Sequence, residues 1–328
     1  MSVQETFASG LGPIIAGYLT LKRALGRRYA VERDVLAHID RFLAADAQEL
    51  TAETFANWCA TLAHLKPGVR RNRMRIVRNL CLYRRRSEPS CFVPDLHGFP
   101  RPHAPRPPHF FTEQEICRLL RATDALRPSP ISPLHREVYR LAIVLLHTAG
   151  LRRGELVRLT LADYEPAEKV LHVRATKFHK SRLVPLSSDA AREMEAYFQA
   201  RRRLPHAADA PLLCSRCRGL RPYTGAGLAK GLRRLFQSAN VRTASGRLPR
   251  VHDMRHSFAL HALLRWYRVG IDVQAKLPAL AAYMGHVSIV STQCYLPFIE
   301  PLAQAASERF ARHCAPFLAT CAAGGGGR

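Results

Sequence analysis

The sequence predicts a mainly α-helical protein of the α+β class: an all-helical N-terminal domain, then a mixed domain built around a small antiparallel β-sheet. Three observations carry this. Apolar residues recur at helical spacing along much of the 328 residues. One region, Val170 to Leu186, has short apolar runs on either side of a polar turn, the mark of a hairpin. Six prolines (Pro94, Pro100, Pro102, Pro105, Pro107 and Pro108) crowd into fifteen residues, which suits neither a helix nor a sheet ladder. The predicted division is 1–93 as helical domain, 94–109 as proline-rich linker, 110–321 as mixed domain with a C-terminal helix, and 322–328 as a disordered glycine-rich tail.

In the first domain Val35, Leu36, Ile39, Phe42 and Leu43 form one helical stripe. Thr51 is placed to cap a helix running through Phe55, Trp58, Cys59 and Leu62. A third helix, about Val69 to Tyr83, buries Ile76, Val77, Leu80 and Tyr83 and turns Arg71, Arg75 and Arg78 outward. The uncharged stretch Thr6–Leu21 contains Pro13 and three glycines and falls short of the roughly 18 apolar residues a membrane span needs.

The second domain opens on a capping box, Thr112 with Glu115. A helix follows at about 136–148 with the apolar run Leu141–Leu146, then a turn at Gly150 and a short helix at about 153–158. Strands at 170–175 and 182–186 flank Lys177-Phe178-His179-Lys180. Helices are predicted at about 189–203, 225–238, 252–267 and 277–284, and a last one at 303–315 stopped by Pro316.

Fifty Lys and Arg against 25 Asp and Glu leave a net charge of +25. A soluble chain this basic meets a polyanion, and nucleic acid is the leading class. The charge is concentrated from Lys66 to Arg86, where nine basic residues meet no acidic one. Arg70, Arg71, Arg75, Arg78 and Arg85 are the expected phosphate contacts, which position a protein without reading sequence. A membrane partner is not expected, because no lipidation signal or span stands out. Nine scattered cysteines form no disulfide framework and point to the cytoplasm. The one CxxC, Cys214 and Cys217, has no second pair, so no metal site is predicted. Without a Gly-rich loop ending in GK[ST], no nucleotide or other cofactor is predicted.

Four boxes in order carry the chemistry: Gly150-Leu151-Arg152-Arg153-Gly154-Glu155-Leu156; Lys177 ahead of Arg182-Leu183-Val184-Pro185-Leu186; His252-Asp253-Met254-Arg255-His256; and Gly285-His286 with Tyr295 nine residues on. Together they resemble the tyrosine recombinase, or phage integrase, family, over about Thr112–Phe310 and more loosely over the N-terminal domain. The chemistry suits the residue types. A phosphodiester under attack accumulates charge on its non-bridging oxygens, and fixed guanidinium forks lower that barrier. Arg152 and Arg255 are the expected clamp. Tyr295 is the expected nucleophile, with a phenol pKa of about 10 that calls for proton removal or a stabilised anion. His252 can take the proton and His286 can donate to the phosphate, with the split between them open. Lys177 is the expected acid for the departing 5′-oxygen, with Lys180 its rival, and Glu155 could orient Arg152.

The resemblance implies more. It implies a core-binding domain and a catalytic domain of tyrosine-recombinase type, a covalent 3′-phosphotyrosine, a free 5′-hydroxyl, and a Holliday junction resolved within a homo- or hetero-tetramer on double-stranded DNA at the prokaryotic nucleoid. It implies that the C-terminal helix packs into a neighbouring subunit. Leu296-Pro297 after Tyr295 looks like the ending of recombinases from transposons and other mobile elements, pointing to integration, excision or transposition. The chain starts almost directly on its core-binding helices, which points to short inverted-repeat core sites. The alternatives are a type IB topoisomerase and a non-catalytic DNA-binding regulator. All six expected catalytic positions are filled, which speaks against the regulator.

Overall fold

The structure is a computed structural model that describes residues 7–27, 29–101, 106–174, 181–202, 204, 207–215, 220–285, 307, 308, 310, 311 and 315. It divides the chain into two compact units, the first ending at Arg106 and the second beginning at Pro107.

The first unit holds four helices among the described residues: α1 (Gly12–Ala24), α2 (Ala30–Ala45), α3 (Ala52–Thr61) and α4 (Pro67–Arg84). Most of the uncharged stretch Thr6–Leu21, too short of apolar residues to span a membrane, lies in helix α1. Its proline falls in the first helical positions, where a missing N–H costs nothing, and Ile15, Tyr18 and Leu19 go to the core. Gly17 lets Tyr83 lie close, since a Cβ there would sit 3.3 Å from the phenol oxygen. Thr51 caps α3, accepting from the Thr54 amide. Trp58, Leu36, Ile39, Leu43 and Val77 fill the centre. The proline-rich stretch begins differently from a free linker. Phe99 is buried in this same core, Phe92 and Val93 pack against it, and Leu96–Gly98 is a 3-10 turn. Phe92 and Val93 just before the segment and Phe99 within it supply the reason, and the packed part of the unit runs on to Pro100.

In the second unit Thr112 and Glu115 form the capping box of α5 (Glu113–Asp124). Helix α6 (His135–Thr148) buries every residue from Leu141 to Leu146 and is the central post, with α5, α8 (Ser188–Arg201) and α10 (Asp253–Arg268) packed on it. After α7 (Arg153–Leu156) come three antiparallel strands in the order β1 (Tyr164–Glu165), β2 (Val170–Val173) and β3 (Arg182–Pro185). The register pairs Val173 with Arg182. The first of these strands, two residues long, carries no legible sequence pattern. A second small sheet pairs β4 (Cys214–Ser215) with β5 (Arg221–Pro222); Cys214 is buried there, and Cys217 lies outside the described residues. Helix α9 (Gly225–Ser238) matches its expected bounds, whereas α11 (Val273–Met284) begins before the expected Leu277. Asp272 caps its start, accepting from the Gln274 and Ala275 amides, and Pro278 is accommodated within. No described helix is long and apolar enough to cross a membrane.

Candidate active site

Two glycines in left-handed backbone shape the site. Gly150, at φ 58°, ends the turn after α6, and a Cβ there would stand 2.5 Å from the Phe258 ring. Gly285, at φ 67°, terminates α11, and a Cβ there would stand 2.8 Å from Arg182 Nη1 and 3.3 Å from Arg152 Nη1. Both positions therefore need glycine for backbone and space together.

Three arginines converge on the C-terminal end of α11. Arg182 Nε donates to the Tyr283 carbonyl at 2.7 Å, Arg255 Nη2 to the Met284 carbonyl at 2.5 Å, and Arg152 Nη2 to the Gly285 carbonyl at 2.6 Å. Three consecutive carbonyls, at the negative end of the helix dipole, are thus each bonded by a different guanidinium. Arg255 reaches across to the turn as well, donating from Nη1 to the Gly150 carbonyl at 2.6 Å. It is 1% exposed. Helix α10 can present it so because Asp253 fixes the helix start, accepting from the Arg250 amide and guanidinium. Ser257 bonds back to the Asp253 carbonyl and accepts from the Phe111 amide.

Glu155 binds two of the three arginines together. It sits at the third position of α7, reaching back to the Arg152 amide at 2.9 Å, and its other oxygen accepts from Arg152 Nη1 at 2.7 Å. Arg182 meets the same two oxygens with both arms of its fork, at 3.1 and 2.8 Å. Burial alone would raise this carboxyl. The Arg182 guanidinium and the Arg152 amide and guanidinium outweigh it and hold it at about 2. Removing either partner of such a buried pair costs on the order of 3–5 kcal/mol.

His252 stands one turn before Arg255, its ring 4.7 Å from that of His256 and perpendicular to it. Its pKa is lowered, first by loss of solvation and then by the Arg255 charge, so the ring is neutral at neutral pH and carries a lone pair. His256 is pushed down to about 4, chiefly by burial and then by His252.

Of the predicted site residues, Arg152, Glu155, His252 and Arg255 come together. Lys177, Lys180, His286 and Tyr295 lie outside the described residues, as does most of the expected terminal helix. Gly285, next in the chain to His286, is bonded to Arg152; Arg182, two residues past Lys180, is bonded to Glu155. Arg182 was legible only as the first residue of a strand. Nothing in the run Leu183-Val184-Pro185-Leu186 that follows marks it as a partner of Glu155. Among the predicted DNA-contact arginines, Arg75 of α4 and Arg85 just past its end are exposed. Arg71 and Arg78 have a local task, donating to the Pro100 and Pro94 carbonyls at 2.8 and 3.0 Å, and Arg70 is half-buried. They tie the proline-rich segment to α4.

Among the described residues, a helical first unit and a helical second unit with a small hairpin sheet and a cluster of arginines and histidines define a class. The chain belongs to the phage integrase family, the tyrosine recombinases, whose model it matches over residues 109–297. It is 33% identical to the integrase/recombinase y4rB of Sinorhizobium fredii, over 90% of this chain and 95% of that one. It is 32% identical to the tyrosine recombinase XerC of Pelotomaculum thermopropionicum, over 58% of this chain and 57% of that one. The Tn1549 transposon integrase, solved with transposon right-end DNA, has a similar fold: TM-score 0.61 at 19% identity, over 91% of this chain and 98% of that one.

Proposed function

We propose that this chain cleaves and rejoins double-stranded DNA at short inverted-repeat sites through a covalent 3′-phosphotyrosine on Tyr295, moving a mobile element. The single observation that supports this best is the convergence of Arg152, Arg182 and Arg255 on the end of α11, beside a neutral His252. Two forks, Arg152 and Arg255, would hold the non-bridging oxygens and stabilise the charge that builds there. His252 would take the phenol proton, and Lys177 would protonate the leaving 5′-oxygen. His286, next to Gly285, would donate to the phosphate. The broken bond's energy stays in the phosphotyrosine, so no nucleotide is consumed. Exposed Arg75 of α4 and Arg85 just past its end would hold the DNA backbone. That the Tn1549 neighbour was solved on transposon DNA, and that the y4rB relative is named an integrase/recombinase, support the mobile-element reading.

The test uses nicked suicide substrates built from the ends of the host element. A protein–DNA adduct is expected from the native chain and none from Tyr295→Phe. An adduct from Tyr295→Phe overturns the nucleophile. Relaxation of a plasmid lacking any recognition site would favour a topoisomerase instead.

A further inference from the structure

We propose that Arg182 is a positioning residue for strand cleavage: by neutralising Glu155 it leaves Arg152 its full positive charge for the phosphate, an inference that rests on the strand-cleavage reading. The geometry supplies the argument. The Glu155 carboxylate is buried, and its two oxygens accept four bonds, two from Arg152 and two from Arg182. One carboxylate between two guanidiniums leaves the trio at a net +1. Without Arg182 the trio becomes an ordinary ion pair of zero net charge, with Arg152 tied to Glu155.

Exposure divides the two arginines by task. The Arg182 side chain is 11% exposed and directs its fork at Glu155 and its Nε at the Tyr283 carbonyl. The Arg152 side chain is 31% exposed and is the one of the pair able to meet a ligand. Arg182 also ties β3 to the end of α11 and to α7 in one contact set, because Tyr283 in turn donates from its hydroxyl to the Pro185 carbonyl on β3. Lysine could supply the charge but could not hold both oxygens and the carbonyl in one plane.

The charged groups facing Glu155 are Arg152 from its own turn and Arg182 from β3; α11 presents backbone carbonyls, and His252 faces Arg152. This fixes a pH signature. In Arg182→Met, burial is opposed by Arg152 alone, so Glu155 takes up a proton at a higher pH than in the native chain. Protonation releases Arg152. The variant's cleavage rate, divided by the native rate at each pH, therefore rises as pH falls toward the raised Glu155 pKa. A purely structural loss would give a ratio that does not vary with pH.

The experiment measures single-turnover adduct formation on a suicide substrate, with thermal melting and gel-shift affinity for each variant. Arg182→Met is expected to lose about 100-fold in rate at neutral pH with DNA affinity within a few-fold of native. Arg182→Lys is expected to lose less and to keep a flat ratio. Adding Glu155→Gln to Arg182→Met is expected to return about tenfold, since no carboxylate then competes for Arg152. Should Arg182→Met fail to fold, Glu155→Gln is compared with the double variant, and rates within a few-fold of each other are expected. A flat ratio for Arg182→Met, or a double variant no better than Arg182→Met, overturns the assignment while leaving strand cleavage intact. So does a double variant far slower than Glu155→Gln. No adduct from the native chain overturns both.

Discussion

Two sets of arginines stand in this molecule, and composition cannot tell them apart. Those of α4 and its C-terminal end lie along one helix, with Arg75 and Arg85 exposed and Arg71 and Arg78 bonded to nearby carbonyls of their own unit. Those of the second unit come from three separate places in the sequence, and Arg255 is buried, with its fork on the Gly150 and Met284 carbonyls. The difference is one of hydration and redundancy. A solvated cation can be replaced by its neighbour when a polyanion binds, because most of the interaction is with the whole field. A desolvated guanidinium fixed by backbone carbonyls cannot, because its geometry is held before any ligand arrives. Substitutions should therefore cost orders of magnitude in one set and small factors in the other.

The largest effect is expected at Arg255. Arg255→Lys keeps a charge but loses the fork, so one of the Gly150 and Met284 carbonyls is left without its donor. Cleavage should fall roughly 10²–10³-fold, with a further loss of about 1–3 kcal/mol in stability for an unsatisfied buried carbonyl. Single-turnover rates and melting curves check this. A rate within a few-fold of native would erase the distinction between the two sets.

Next comes Glu155, where the effect is on stability and has a sign in pH. Its folded pKa lies at about 2, below the ordinary 4.5. The stabilisation is thus fully present above about pH 4.5 and is lost as pH falls toward 2. A shift of this size corresponds to about 3 kcal/mol. Glu155→Gln should therefore melt well below the native chain at pH 7 and approach it at about pH 3. Parallel curves across that range would show that the two arginines do not compensate the carboxylate.

Much of this is readable in the amino-acid sequence. The capping box at Thr112, the stripe of α4 and the bounds of α9 follow from local rules of spacing and capping, which act within one element. Arg152 and Arg255 were expected at one site from their boxes, and both reach the end of α11. What was not readable depends on contacts between distant elements. Arg182 looks like any strand residue until Glu155, 27 residues away in sequence, is seen in its fork. Helix α1 was assigned no bounds from the sequence; it is held by Ile15, Tyr18 and Leu19 in a core that composition alone does not show. Phe99 was hidden among prolines.

Gly285 offers a smaller test of the same preorganisation. Gly285→Ala adds a Cβ 2.8 Å from Arg182 Nη1 and requires a left-handed alanine. The backbone term alone is about 1–2 kcal/mol. Displacing Arg182 should lower cleavage by about tenfold more. A stability loss with no rate change would mean that the end of α11 does not set the arginines.

The smallest effects belong to α4 and decide whether its charges act at all. Arg75 is exposed and reaches the Asn72 side chain at 2.9 Å, so Arg75→Ala should leave melting within about 0.5 kcal/mol of native. Its effect should instead appear in DNA affinity, as a few-fold loss at moderate salt and a salt slope smaller by about 1. Arg78→Ala should behave in the opposite way. It removes a donor to the Pro94 carbonyl, so stability should fall by about 0.5–1.5 kcal/mol and the affinity change should follow that loss. Measuring both variants by salt-dependent gel shift and by melting separates the solvated cation from the bonded one within a single helix. If neither changes the salt slope, the α4 face is solvated charge without a ligand, and the contrast with the buried arginines of the second unit has no functional content.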